Sequence, residues 1–333
     1  FPDELRICHD RYIPGLARLS KAIQDKGAKA AIQLHHPGRQ SLPKISGYQP
    51  VAPSAIPCPT VKAMPRELQN HEVRELIEKY AQGSRRAKEA GFDAVEFHGA
   101  HGYLICQFFS PFSNQRKDEY GGSTENRARF GTEILRRARE LLGKEFPMFV
   151  RISGDEYVEG GLTLAETTKI AKLLEAAGAD AIDVSAGNYN SAQWLSQPVL
   201  QRKGCLVPLA TEIKRAVKVP VVTVGRINDA KIAETILKEG NADVIAMGRP
   251  LLADPELPSK FQRGDRLGII QCIACNTCMH LIFKAKPIEC LMNPDAGKEW
   301  QPEKPAETKL KILIIGSGPA SLEAARVAAV KGH

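Results

Sequence analysis

The chain has 333 residues, of which 43% are hydrophobic and 25% charged, so it can bury a substantial core without disulfides. Its formal net charge is +8, but acidic residues accompany the basic ones in most predicted helices, which argues against a nucleic-acid partner. No apolar run reaches the roughly 20 residues of a membrane helix, so a membrane-spanning protein is excluded. The eight cysteines favour reduced thiols, and therefore a cytoplasmic location, over disulfides.

Short apolar runs alternate with amphipathic helical segments along most of the chain. The predicted strands are 30–34, 94–97, 148–152, 181–185, 219–224 and 244–247. The predicted helices begin at or just after Asn70, Ser123, Thr163 and Asp229 and end at Gly91, Gly143, Gly178 and Gly240. Strands that are apolar on both faces and separated by helices indicate parallel βαβ units.

An open doubly wound sheet and a closed eight-stranded barrel share this alternation. The barrel is favoured because polar residues follow each predicted strand, and such groups converge only where strands surround a common mouth. These residues are Gln33 with His35, His98 with His101, Arg151, Ser185, Gly225-Arg226 and Gly248-Arg249. Six units are present and residue one is Phe1, so the sequence predicts an α/β chain whose TIM barrel lacks its first two β/α units, an internal fragment.

The repeat ends after Pro250, and a second kind of domain begins near the C-terminus. Residues 311–315 form a predicted strand that enters Gly316-x-Gly318-Pro-Ala320-Ser321 and a short helix. That context is typical of a dinucleotide-binding fingerprint, with serine in place of the third glycine. We therefore predict a partial barrel over 1–266, a cysteine segment over 267–300, a linker over 301–309 and the start of a Rossmann-like nucleotide-binding domain over 310–333.

Four cysteines have the spacing of a metal site: Cys272-x2-Cys275-x2-Cys278-x11-Cys290. Three thiolates in a tight loop and a fourth from a returning segment suit a [4Fe–4S] cluster. Structural zinc also accepts four thiolates, but zinc sites more often pair two CxxC segments. The spacing therefore favours iron–sulfur, with zinc as the alternative.

Two imidazoles and a phenol, those of His98, His101 and Tyr103, follow the second predicted strand. Two histidines three residues apart can donate hydrogen bonds to one oxygen on which charge develops, and a tyrosine can act as a general acid. Two other interpretations stay open at this point. The histidines could be satisfied core residues beside a packed Tyr103, or they could bind a metal, although no third ligand stands at a suitable spacing.

Glycine–arginine pairs follow the last two predicted strands, at Gly225-Arg226 and Gly248-Arg249. In barrels, the loops after the final strands supply backbone N–H groups for a phosphate, and an arginine adds a charge-assisted contact. Arg151, at another strand end, could face the electron-rich edge of a cofactor or pair with Asp155. These positions are the candidates for binding an anionic cofactor.

Taken together, these stretches resemble the Old Yellow Enzyme family, in its iron–sulfur flavoprotein branch. That branch includes 2,4-dienoyl-CoA reductase, 2-enoate reductase, trimethylamine dehydrogenase and the bile-acid-inducible NADH:flavin oxidoreductases. The resemblance is carried by residues 33–39, 98–108, 114–127, 224–227 and 247–250, the four clustered cysteines and 316–320. The motifs are long and occur in the family's order.

The resemblance implies FMN at the barrel mouth. Gln33 would contact the flavin pyrimidine and Arg151 its N1–C2 edge. The phosphate would be held by Gly225, Arg226, Gly248 and Arg249. His98 and His101 would bind the substrate oxygen, flavin N5 would deliver hydride to the β carbon, and Tyr103 would protonate the α carbon.

The resemblance also implies an FAD and NAD(P)H domain that begins at Gly316, Gly318 and Ala320 and passes electrons through the cluster to FMN. The expected activity is NAD(P)H-dependent reduction of an α,β-unsaturated acid, CoA thioester or enone. Amine oxidation of the trimethylamine-dehydrogenase type, general NADH:flavin oxidoreductase activity and a pure electron-transfer module are the alternatives. Trimethylamine-oxidising members carry an aromatic residue where His98 stands, which favours an oxygen-bearing small-molecule substrate. A homo-oligomer is compatible with the sequence, and this chain alone is expected to be poorly stable and flavin-poor.

Overall fold

The structure, a computed structural model, describes residues 4–301 and 304–333. It divides into two units, Phe1–Asn276 and Thr277–His333. The strands, all in the first unit, are β1 (Ala31–Leu34), β2 (Val51–Ala52), β3 (Arg66–Glu67), β4 (Ala94–Gly99), β5 (Met148–Ser153), β6 (Ala181–Ser185), β7 (Val221–Thr223) and β8 (Val244–Ile245). The strands β1, β4, β5, β6, β7 and β8 form one parallel sheet in that order, and β2 pairs with β3.

The order of strands in the large sheet is the order in which the chain makes them. A doubly wound sheet would reverse direction at a switch point, whereas a barrel wall adds each strand beside the last. The six predicted strands are confirmed, with ends that move by at most two residues. The sheet thus has the strand order of a barrel wall, and its strands all end on one side.

Helices connect the strands and cover the sheet. In the first unit they are α1 (Ile13–Gln24), α2 (Pro43–Ser46), α3 (Asn70–Glu89), α4 (Leu104–Phe109), α5 (Thr124–Leu142), α6 (Leu164–Ala176), α7 (Ala192–Leu195), α8 (Val207–Ala216), α9 (Ala230–Lys238), α10 (Arg249–Ala253) and α11 (Leu257–Arg263). Single 3-10 turns occur at Asp10–Tyr12, Gly38–Gln40 and Tyr189–Ser191. Within the described ranges, no helix combines the length and the apolar character needed to cross a membrane.

The predicted helix ends are largely confirmed. The Ser123 hydroxyl accepts a hydrogen bond from the backbone N–H of Asn126, and Asp229 caps α9 in the same way. At α3 the cap is Gln69 and not Asn70, because the side chain of Glu72 reaches back to the Gln69 N–H at 2.8 Å. The four predicted glycine stops have φ between 69° and 106°, the left-handed region that glycine enters most easily.

The main hydrophobic core lies between the sheet and the helices α3, α5, α6 and α8. Phe97 on β4, Phe130 and Ile134 on α5 and Ile213 on α8 are at most 1% exposed within it. Because side chains alternate along a strand, the residues between these apolar positions face the opposite side of the sheet. Parallel register aligns Gln33 with Glu96 on that side, and it aligns other polar residues in the same way.

Several buried side chains of the segment 110–127 hold α4 in place. Asn114 donates hydrogen bonds of 2.7 Å to the carbonyls of Phe108 and Tyr120. The buried guanidinium of Arg127 donates to the carbonyl of Phe109 at 2.8 Å. The helix that follows the two histidines is therefore fixed by a motif whose role is structural.

The second unit contains α12 (Thr277–Phe283) and α13 (Pro319–Lys331). The predicted helix after Gly318 is confirmed, and Gly316 adopts φ +126°, where an added Cβ would lie 2.8 Å from the Ser321 hydroxyl. The predicted strand at 311–315 is wrong: these residues pair with no strand among those described. A β-strand needs a neighbour to hydrogen-bond, so an apolar run without one stays unpaired.

Candidate active site

The side chains of His98, His101 and Tyr103 come together at the carboxyl end of β4. The His98 ring centroid lies 4.9 Å from that of His101 and 4.7 Å from that of Tyr103. His35, at the end of the neighbouring strand, packs 4.9 Å from Tyr103 on another side. The predicted triad is therefore one cluster of rings, joined by a fourth ring that the strand order places beside it.

An unusual backbone turn sets the position of His101. Its φ is +61°, which non-glycine residues rarely adopt and which the surrounding structure must hold. The Ser153 hydroxyl accepts a hydrogen bond from the His101 N–H at 3.0 Å, and the Gln40 side chain donates to its carbonyl at 3.0 Å. Side chains from the loop after β1 and from the end of β5 thus fix the backbone that carries the His101 ring.

Both imidazoles are neutral at physiological pH. His98 and His101 are 6% and 8% exposed, and this burial lowers the pKa of each well below its usual value of about 6.5. The His98 Nδ1 accepts from the Ala100 N–H at 3.2 Å, so its Nε2 carries the proton. The His101 Nε2 lies 2.7 Å from the Ser185 hydroxyl, which orients that ring. His98 thus offers an Nε2–H donor, and neither ring carries a positive charge.

The phenol of Tyr103 is in its protonated form. Burial raises its pKa above the usual value of 10, as a general acid at neutral pH requires. Its hydroxyl lies 3.3 Å from the hydroxyl of Tyr189, in the turn after β6. The sequence analysis missed Tyr189 because 86 residues separate it from Tyr103 and no local pattern marks it.

Polar side chains form the inner wall below these rings, where barrel interiors usually carry bulky apolar residues. Gln33 donates to Glu96 at 2.5 Å. The Nε of Arg151 lies 3.3 Å from Oδ2 of Asp183. Arg151 therefore pairs with Asp183 and not with Asp155, the alternative partner suggested by the sequence. Four neighbouring strands contribute one polar residue each to this wall.

Glu96 is partly buried, Asp183 is 6% exposed, and the two carboxyls repel each other when both are ionised. Burial, and then the neighbouring Asp183 carboxylate, raise the pKa of Glu96 to about 7. Burial also raises the pKa of Asp183. At neutral pH the pair therefore tends to retain a proton, as two carboxyl groups sharing one site do.

This pair predicts a pH effect on stability. A carboxyl whose pKa is higher in the folded state contributes stability that is lost as pH rises from its unfolded value of about 4.5 through about 7. The free energy of unfolding of Glu96→Gln minus that of the parent should therefore increase by about 2 kcal/mol from pH 5 to pH 8. Urea unfolding at several pH values measures this difference, and a difference that does not change with pH would remove Glu96 from the explanation.

The two predicted arginines of the phosphate site point to a loop. The guanidiniums of Arg226 and Arg249 donate at 2.7 Å to the carbonyls of Val199 and Gln197, respectively. The structure therefore brings the two glycine–arginine pairs together through the loop after β6. Gly225 has φ +117°, and a Cβ there would lie 2.9 Å from the Leu206 side chain, so glycine is required.

The four predicted metal cysteines lie on both sides of the boundary between the units. In residues 4–301 and 304–333, no group of three or more His, Cys, Asp or Glu side chains is placed to hold a metal ion. The local backbone nevertheless suits thiolates: the N–H groups of Ala274 and Met292 donate to the sulfurs of Cys272 and Cys290 at 3.4 Å. Such N–H···S hydrogen bonds stabilise cluster ligands.

Comparison with known proteins decides the family. Residues 1–267 match the NADH:flavin oxidoreductase / NADH oxidase family. The chain belongs to this family. The resemblance to the Old Yellow Enzyme type is thereby confirmed.

Individual members of the flavin oxidoreductase family match nearly the whole chain. It is 47% identical over 335 residues to an NADH oxidase of Thermoanaerobacter brockii, covering 99% of this chain and 52% of the relative. It is 39% identical over 336 residues to a cinnamate reductase of Clostridium sporogenes, covering 95% and 50%. The solved 2-naphthoyl-CoA reductase complex has a TM-score of 0.93 at 35% identity, covering 98% and 52%. The chain spans about half the length of these relatives.

Family membership implies FMN and a nicotinamide donor, and the inner wall fits a polar, planar group. The buried Nε of Arg151 makes no hydrogen bond among the described residues, since its 3.3 Å approach to Oδ2 of Asp183 is only an ion-pair contact. Buried polar atoms normally have partners, so atoms without one indicate a ligand position. A Cβ at Gly248 would have no described atom within 4 Å, which leaves open space beside the second glycine–arginine pair.

The two glycines predict opposite consequences of adding one methyl group. Gly248→Ala should change the free energy of unfolding by less than about 0.5 kcal/mol, since the space is open and φ is −103°. It should weaken FMN binding about tenfold, because the added methyl group would fill the predicted phosphate position. Gly225→Ala should instead destabilise the fold by about 1–3 kcal/mol through strain and contact with Leu206. Fluorescence titration with FMN and urea unfolding separate the two effects. Unchanged FMN affinity in Gly248→Ala would place the phosphate elsewhere.

Glu156 is a second residue that the sequence analysis missed. It is 1% exposed, and its carboxylate accepts hydrogen bonds from the Leu162 N–H at 2.9 Å, the Asn188 side chain at 3.0 Å and the Ser110 hydroxyl. It therefore joins α4 to the loops after β5 and β6. No motif marks it, because two of its partners, Ser110 and Asn188, are more than 30 residues away in the chain.

Proposed function

We propose that the chain is the flavin- and substrate-binding part of an NAD(P)H-dependent ene reductase. The substrate would be an α,β-unsaturated acid, its CoA thioester or an enone. The observation that carries the proposal is the cluster of two buried, neutral imidazoles and one protonated phenol above a polar wall. Relatives whose names include cinnamate reductase and 2-naphthoyl-CoA reductase support an unsaturated carbonyl compound as substrate.

The residues of the cluster would divide the work. FMN, when bound, supplies the hydride for the substrate's β carbon. His98 and His101 would donate hydrogen bonds to the substrate's carbonyl or carboxylate oxygen and so draw electron density from the double bond. Tyr103 would give its proton to the α carbon.

The cofactor contacts follow from the wall and the strand ends. Gln33 and Arg151 would hold the flavin ring. The phosphate would be held at the last two strand ends, by Gly225, Arg226, Gly248 and Arg249. Arg151 is the positively charged residue of the wall, so it would favour the anionic form of the reduced ring.

The rest of the electron path belongs to the same proposal. Cys272, Cys275, Cys278 and Cys290 would bind a [4Fe–4S] cluster, and reduced thiols of this kind fit a cytoplasmic protein. Gly316, Gly318 and Ala320 would begin the domain that binds FAD and NAD(P)H. The assignment of 1–266, 267–300, 301–309 and 310–333 to barrel, cluster segment, linker and nucleotide domain is part of it.

Amine oxidation is the competing activity, and the site chemistry disfavours it. An alkylammonium ion is recognised by aromatic faces or by a carboxylate. The centre of this cluster instead presents the N–H donor of His98, which is matched to an oxygen acceptor.

Two anaerobic half-reactions test the proposal on the flavin-loaded protein. We expect cinnamate or crotonate to reoxidise the reduced flavin, with formation of the saturated acid. Phenylpropionate, the saturated control, should have no effect, and trimethylamine should not reduce the oxidised flavin. Reduction by trimethylamine together with inertness toward both alkenes would overturn the proposal in favour of the amine dehydrogenase.

A further inference from the structure

We propose that Tyr189 is a positioning residue for the proton transfer, because its hydroxyl hydrogen-bonds to the oxygen of Tyr103. The inference rests on the proposed function and extends it to a residue outside the predicted site. As the Tyr103 O–H bond breaks and a C–H bond forms on the substrate's α carbon, negative charge develops on the Tyr103 oxygen. The Tyr189 hydroxyl stabilises that charge, and Tyr103 afterwards regains a proton from water.

The geometry of the two phenols supports this role. Their oxygens are 3.3 Å apart, and their rings meet edge to face with centroids 6.1 Å apart. His98 and His35 pack against the ring of Tyr103. The Tyr189 hydroxyl therefore lies within hydrogen-bond distance of the reacting oxygen.

The turn that carries Tyr189 is held by buried hydrogen bonds. Asn188 begins the turn, and its side-chain oxygen accepts from the Asn190 N–H at 2.8 Å. The Asn188 amide donates to the Glu156 carboxylate at 3.0 Å, and the Ser191 hydroxyl donates to the Glu156 carbonyl at 2.6 Å. Because Glu156 is itself buried, the backbone that carries Tyr189 is held before substrate arrives, which is how catalytic groups are preorganised.

The groups around the two phenols allow the hydrogen bond between them to affect the pKa of Tyr103. The titratable and charged groups that face the two phenols are Glu4, His35, His98, Arg151 and Cys58. Burial raises the pKa of Tyr103, and the hydrogen bond from Tyr189 is the largest opposing influence. Burial also strongly raises the pKa of Tyr189, so it stays protonated as a donor.

Removing only the Tyr189 hydroxyl should make Tyr103 a weaker acid. In Tyr189→Phe we expect the rate of flavin reoxidation by cinnamate to fall about tenfold, which corresponds to about one pKa unit. The alkaline limb of its pH profile should move to higher pH by a similar amount. Reoxidation by ferricyanide, which requires no proton on carbon, should be unchanged.

Tyr157→Phe is the matched control, since its ring stacks on Trp194 at 4.1 Å and it takes no part in the proposed chemistry. It should leave both the cinnamate rate and the alkaline limb unchanged. A Tyr189→Phe variant with the parent rate and the parent limb would overturn the inference. A slower rate with an unmoved limb would also overturn it, because a purely structural role predicts that result.

A spectroscopic titration keeps this inference separate from the proposed function. The tyrosinate absorbance at 295 nm, taken as parent minus Tyr103→Phe, reports the pKa of Tyr103 without any substrate. The same difference taken in the Tyr189→Phe background should show a higher pKa. If cinnamate fails as an acceptor, the proposed function fails while this measurement still decides the inference: an unchanged Tyr103 pKa rejects it.

Discussion

Replacing Tyr103 by Phe is expected to slow the reoxidation of the reduced flavin by cinnamate by about 10²–10⁴-fold, the usual contribution of a general acid. The ring that remains keeps its packing against His35 and His98, so substrate and flavin should still bind. Only the proton that completes the new C–H bond is lost. Anaerobic stopped-flow spectroscopy of the flavin absorbance measures the rate.

Ferricyanide provides the internal control for this variant. It takes electrons without a proton on carbon, so its rate should change less than about twofold. His98→Ala should act differently: it should weaken substrate binding and slow the reaction, because it removes a donor to the substrate oxygen. If Tyr103→Phe reduced cinnamate as fast as the parent, the acid would be another group and the assigned role would be wrong.

Arg116→Ala is expected to lower the free energy of unfolding by about 2–4 kcal/mol, because it removes a buried guanidinium together with its charge-assisted hydrogen bonds. The Arg116 side chain is 3% exposed and is paired with Asp118 at 2.6 Å. It also donates to the carbonyls of Pro53 and Leu68 at 3.0 Å and 2.6 Å. The substitution therefore leaves buried carbonyls unsatisfied in two separate segments.

Arg74→Ala is the matched control for urea unfolding. Arg74 is also an arginine paired with a carboxylate, Glu119 at 3.1 Å, but its side chain is 64% exposed. Its removal should change stability by less than about 1 kcal/mol. Equal effects of the two substitutions would mean that burial of Arg116 contributes little.

Much of the fold follows from local patterns. The alternation of apolar runs and amphipathic helices predicts all six strands of the sheet, and cap residues such as Ser123 predict helix starts. These features depend on neighbours within a turn or two, so the sequence records them directly. The unpaired segment 311–315 shows the limit, since an apolar run becomes a strand only where a partner strand lies beside it.

The site was predictable where its residues share a segment, and not where they meet across the sheet. His98, His101 and Tyr103 stand within six positions, and the structure brings their rings together. Glu156 and Tyr189 join the same region from other strand ends, through contacts that depend on strand register. The part of the site that is set by register could not be predicted from local patterns.

Under the proposed function, the polar wall beneath the rings makes flavin binding and folding one equilibrium. Gln33, Glu96, Arg151 and Asp183 occupy positions where a barrel would otherwise bury apolar surface, so the empty protein forgoes hydrophobic stabilisation there. A ligand that binds only the folded state adds about 2.7 kcal/mol at a concentration one hundred times its dissociation constant. The thermal midpoint of this protein should therefore rise with free FMN, and the flavin supply of the cell becomes a determinant of how much of the chain stays folded.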